Sequence, residues 1–154
     1  MNDSNEPRAF QTLRGFLHGD EPDEPIYFAY SATLRIHGDG LPFEEISAQL
    51  GVQPTYVHRK GERRGPLSPP WRDDAWHFQP SLDESAELAK HIDALWEVLR
   101  PHAPYLLSLK QRYKLDVFCG YRSNCDHAGF DVPHASLEMF TALEVPFGVS
   151  IIIA

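Results

Sequence analysis

A chain of 154 residues, 42% apolar and 23% charged, has the size and make-up of one globular domain, which excludes a fibrous or wholly disordered protein. Its formal charge of −8 repels phosphate backbones and disfavours nonspecific nucleic-acid binding. Two cysteines are too few for a disulfide framework, residues 1–10 lack an apolar leader core, and no apolar run reaches the roughly 18 residues that span a bilayer, so a protein of a reducing, cytoplasmic compartment with no membrane partner is expected.

Residues 1–25 carry Asp3, Glu6, Asp20, Glu21, Asp23 and Glu24 and are assigned as an acidic, mostly flexible extension, with a single α+β domain over 26–154. Within the extension Phe10, Leu13, Phe16 and Leu17 recur at helical spacing. The first strand is expected over 26–36, where Phe28, Tyr30, Ala32, Leu34 and Ile36 alternate with more polar residues. His37-Gly38-Asp39-Gly40 then turns the chain, Pro42 suits a first helical position, and Phe43, Ile46 and Leu50 line a short helix that Gly51 ends.

Prolines and glycines break the stretch from Gln53 to Trp71 into the longest loop of the domain. From Tyr56 to Arg72 lie Arg59, Lys60, Arg63, Arg64 and Arg72 against Glu62 alone, so a basic insert is set in an acidic body. A second strand follows over 75–79, with Trp76 and Phe78 on one side and His77 and Gln79 on the other. Ser81-Leu82-Asp83-Glu84 reads as a capping box opening the best helix, which runs to Leu99 before Pro101, and Pro104 restarts a brief one through Leu109.

Leu115, Val117 and Cys119 mark a third strand, with a loop expected from Tyr121 to Phe130. Pro133 opens a helix carrying Leu137, Phe140 and Leu143. A last strand then places Phe147, Val149, Ile151 and Ile153 on one face that a core should cover. The sum is a four-stranded, mainly antiparallel sheet with helices on one face, a ferredoxin-like arrangement whose second and fourth strands are edges. An edge this apolar suggests a homodimer through the C-terminal strand.

Cys119, Cys125, Asp126, His127 and Asp131 are the sharpest metal candidates, but their spacing is not that of a structural zinc site, so no metal is assigned. The eight histidines are spread one to a segment, without the spacing that brings two ligands onto one helix face. Nucleophile elbows, phosphate loops and dinucleotide fingerprints are missing, so no catalytic residue and no cofactor is assigned. What is left is the basic loop. Arg59, Lys60, Arg63 and Arg64 with Trp71 and Trp76 combine forked cations and stacking faces suited to an anionic ligand or an acidic protein surface.

The string YSATLRIHGDGLPFEEISAQLGVQPTYVHRKGERR from Tyr30, followed by Phe118-Cys119-Gly120-Tyr121 and Gly129-Phe130, resembles bacterial domain-of-unknown-function family 4279 over roughly residues 26–153. The resemblance implies a shared architecture and makes Cys119 scaffold. It carries no activity, substrate or catalytic residue. The leading expectation is therefore a noncatalytic binding module for an acidic protein partner or anionic ligand through the 58–72 loop. The alternatives are an enzyme with a site near the same loop, and a nucleic-acid binder that the acidic remainder disfavours.

Overall fold

A computed structural model describes residues 25–154 and places eleven residues, Phe28–Gly38, in the first strand, β1. The remaining elements are helix α1 (Phe43–Leu50), strands β2 (Tyr56–His58) and β3 (Asp74–Phe78), helices α2 (Leu88–Leu99) and α3 (Ala103–Lys110), strand β4 (Lys114–Ser123), helix α4 (Glu138–Ala142) and strand β5 (Val149–Ile153). Short 3₁₀ turns at Arg100–His102 and His134–Leu137 lead into α3 and α4. The acidic extension and its Phe10 to Leu17 pattern lie outside the described residues.

One sheet holds five strands in the order β2-β3-β1-β4-β5. β1 is antiparallel to both β3 and β4, β2 is antiparallel to β3, and β4 and β5 are parallel, so the sheet is mixed. This corrects the expected four strands. A three-residue strand, β2, was hidden in the loop, and it covers β3, which was expected to be an edge. The ferredoxin-like assignment, counted on four strands without β2, does not carry over as it stands.

The two faces of β1 set the layers. Tyr30, Ala32, Leu34 and Ile36 point to the helices and share one core with Ile46 and Leu50 of α1, Ile92, Leu95 and Leu99 of α2, and Leu106 of α3. Each fully buried Leu or Ile contributes about 1.5–3 kcal/mol relative to exposure, which is why this alternation fixes the register. Gly120 meets β1 so closely that a Cβ there would lie 2.6 Å from Ser31 Oγ and 3.3 Å from the Phe118 ring. It is therefore a contact glycine inside β4 and does not end the strand, which runs on to Ser123 where a loop was expected.

α2 starts later than the capping box implied, at Leu88 with Glu87 as its uncapped N-terminal neighbour. Asp83 Oδ1 instead accepts hydrogen bonds from the amide and hydroxyl of Ser85, and the Glu84 carbonyl accepts from the Tyr30 amide of β1. The competing local turn and the strand contact use up the groups that would have opened a helix. The core also stops short of β5: Ile151 is 60% and Ile153 49% exposed, against the expectation of a covered face. β5 is the outermost strand and α4, at five residues, does not reach over it.

Candidate functional site

Two surfaces carry the polar chemistry. The first is the segment between β2 and β3. Gly61 donates its amide to the Trp71 carbonyl at 2.9 Å, Trp71 returns its amide to Glu62 at 2.8 Å, and Arg63 bridges Pro70, so 59–73 is a stitched hairpin. Gly61, at φ 88°, supplies the left-handed residue of the turn that Glu62 closes on Arg59. At the tip the Gly65 carbonyl accepts from Ser68, the Arg63 guanidinium donates to the Ser68 carbonyl, and Leu67 is 100% exposed.

Asp74 holds the hairpin to the body. One of its oxygens accepts from the Lys60 amide at 2.8 Å, the other from the Leu41 amide and Arg59 Nη1, both at 3.0 Å. Burial would raise this carboxyl, but the two amides and the guanidinium outweigh it and hold it below the ordinary carboxylate value. Arg59 also donates to the Leu41 carbonyl and lies 3.6 Å over the Phe43 ring. Its charge is spent on architecture.

The sequence-expected binding residues therefore separate. Lys60 pairs with Asp39 at 3.0 Å, both well exposed, and Arg63 braces the tip. Neither Arg64 nor Arg72 makes an ion pair or hydrogen bond among the described residues. Trp71 stacks on His58 with ring centroids 4.2 Å apart. Trp76 is fully buried on the helix side, where its indole N–H donates to Ser47, and so leaves the candidate surface.

The second surface is the face of the sheet on which no helix of the described residues packs, and which no sequence motif marked. Antiparallel pairing sets Arg35 beside His77 and Asp116, and His77 beside Tyr56, while His37 and His58 occupy the adjoining row. His37 Nε2 and His77 Nε2 are 3.0 Å apart, Asp73 lies 3.6 Å from His37 Nδ1 and 3.9 Å from His58 Nε2, and the Tyr56 hydroxyl is 2.9 Å from His58 Nδ1. His58 is 6% exposed, and its Nε2 has no hydrogen-bond partner among the described residues.

Burial pushes His77 down to about 4, with His37 and Arg35 adding repulsion, and burial lowers His37 against the pull of Asp73. Both imidazoles are thus neutral at pH 7. Arg35 donates to Asp116 from Nε at 2.7 Å and from Nη2 at 3.0 Å, a forked pair that cancels both charges. Among the described residues no group of three or more His, Cys, Asp or Glu is placed to hold a metal ion.

The cysteine chemistry weighed from sequence finds no support in the geometry. Burial pushes the Cys119 thiol up to about 12. The Cys125 thiol donates to the His127 carbonyl, and the His127 ring turns to Asp126, so thiol and imidazole are not paired.

These features define an α+β domain in which, among the described residues, one face of the sheet carries no helix and a basic hairpin lies at one edge. The chain belongs to the family described as Domain of unknown function (DUF4279), whose model matches residues 28–154. No curated protein and no solved structure matches it. No helix among the described residues is long and apolar enough to cross a membrane.

Proposed function

We propose that this protein is a noncatalytic binding module whose projecting hairpin takes an acidic protein surface. The observation that carries the reading is a stem stitched by backbone hydrogen bonds that presents Arg64, unpaired among the described residues, and a wholly exposed Leu67. A preformed loop loses little conformational entropy on docking, and an exposed apolar residue three positions from an arginine suits a partner with an acidic rim and a small pocket. Arg63 braces the tip beside the contact, while Lys60 and Trp71 belong to the stem below it. Arg59 acts from below by fixing the stem.

The test is a capture experiment from native lysate with the protein and an Arg64→Glu, Leu67→Ser, Arg72→Glu variant. Loss of the captured partner, with that partner also released by moderate salt, is the expected result. Retention of every partner by the variant sinks the proposal. An anionic small ligand is the weaker form of the same reading, because a projecting hairpin encloses little volume. A nucleic-acid role stands further back, since the body around the hairpin is acidic.

Two finer readings accompany it. We take β1-α1-β2-β3-α2-β4 as a ferredoxin-like core onto which α4 and β5 are added; the order β2-β3-β1-β4 supports this. We also infer that two copies join through β5, whose outer edge pairs with no strand among the described residues and whose Ile151, Ile152 and Ile153 are about half exposed. Light scattering that gives a dimer mass for the protein and a monomer mass for Ile151→Lys is expected; a monomer for both overturns it. The two free cysteines agree with a cytoplasmic setting.

A further inference from the structure

The open face of the sheet carries a groove of about 670 Å³ that is separate from the hairpin tip and from β5. Thr33 and Arg35 of β1, His77 of β3 and Gln79 just beyond it form the floor, with Tyr56 at one side and Phe118 at the other. We propose that this groove binds an uncharged, planar heteroaromatic molecule of nucleobase size or somewhat larger, stacked on an aromatic wall and hydrogen-bonded at its edge to His77 and Gln79.

Size and shape admit a small molecule, since ligand sites run from about 300 to 1,000 Å³. Charge narrows the class. Arg35 is the cation of the floor, and its guanidinium is held by both oxygens of Asp116 while lying 4.8 Å from the Phe118 ring centroid. An anion entering here would have to break that forked pair or remain without a counter-charge. The neighbouring imidazoles offer none either, being neutral and facing one another at 3.0 Å. Bringing a charged ligand out of water onto such a floor is costly, whereas a neutral one meets no penalty beyond its own hydrogen bonds.

Hydrogen bonding narrows it further. The Thr33 hydroxyl donates to Gln79 Oε1 at 3.0 Å, which fixes the amide and leaves Gln79 Nε2 as a donor with no partner among the described residues. Asp73, 3.6 Å from His37 Nδ1, favours a proton on that nitrogen. His37 Nε2 is then the acceptor, His77 Nε2 donates to it, and the ring nitrogen of His77 left for a ligand is Nδ1, a lone-pair acceptor. The floor thus presents one acceptor and one donor, held in place by second partners, between the Tyr56 ring and the Phe118 ring, the latter with Arg35 over one face. Flat molecules with a mixed donor–acceptor edge match that pattern; aliphatic polyols match the edge but not the walls.

The full-length protein is titrated at pH 7.5 with adenine, nicotinamide and benzoate while the imidazole ¹⁵N signals of His37 and His77 are followed. Saturable shifts with adenine or nicotinamide, benzoate at least tenfold weaker, and at least fivefold weaker binding by Gln79→Ala are expected. Phe118→Ala should weaken binding as much; if that variant does not fold, Gln79→Ala, on an exposed side chain, decides alone. No saturable shift with either neutral probe, benzoate binding as tightly as they do, or unchanged binding by Gln79→Ala overturns the proposal. Hairpin variants leave these shifts in place, so failure here and failure of the hairpin reading are told apart.

Discussion

β1 shows two chemistries on one strand. Its helix side, Tyr30, Ala32, Leu34 and Ile36, is apolar and closed; its other side, Ser31, Thr33, Arg35 and His37, is polar and, Thr33 apart, only half-buried. The first side is satisfied by exclusion from water alone, so many apolar neighbours would serve. The second depends on which polar group lies opposite which, and that is decided by strand pairing across the sheet.

Removing side chains from each side should expose this difference. Trp76→Ala empties the largest fully buried side chain and should cost about 3–5 kcal/mol, read from urea unfolding at unchanged slope. Asp74→Ala should come next, at about 2–4 kcal/mol, because it strands the Leu41 and Lys60 amides and the Arg59 guanidinium together. A cost under about 1 kcal/mol there would mean that the hairpin is anchored by other contacts.

Acid should act on the open side. His77 is held down at about 4 from an ordinary 6.5, so the folded protein binds fewer protons than the unfolded chain across that interval. Stability is then complete above pH 6.5 and falls as the pH drops from 6.5 toward 4. Because the ring is half-buried, the loss assigned to it is on the order of 1 kcal/mol, and His77→Gln should flatten the profile over that range. Trp71→Ala should cost about 1 kcal/mol through its stacking on His58 and move the His58 ring signals, whereas Arg64→Glu should change stability by less than about 0.5 kcal/mol.

The same contrast explains what could be read from the residues. Alternation in β1 and the three-and-four spacing of Ile92, Leu95, Trp96 and Leu99 announce the core because burial leaves a periodic trace. β2 leaves none, being three residues between Pro54 and the hairpin. The histidine cluster was illegible for another reason: His37, His58 and His77 stand in three segments, and only the registers of β1 with β3 and of β2 with β3 bring them together. One signal was present. His77 sits between Trp76 and Phe78, which marks it as facing away from the core. Trp76 was the converse case, an aromatic near a basic loop that the strand phase already turned inward.

The stitched stem of the hairpin also insulates its tip from the rest of the molecule. With Arg63 and Pro70 bridged and Asp74 clamping the base, residues 64–69 can be exchanged or extended while the enclosed ends stay fixed. Doubling such a loop costs only about 0.6 kcal/mol. This stretch is accordingly a graft point where a reporter peptide can be carried without unfolding its host, at the loss of the contacts proposed for Arg64 and Leu67.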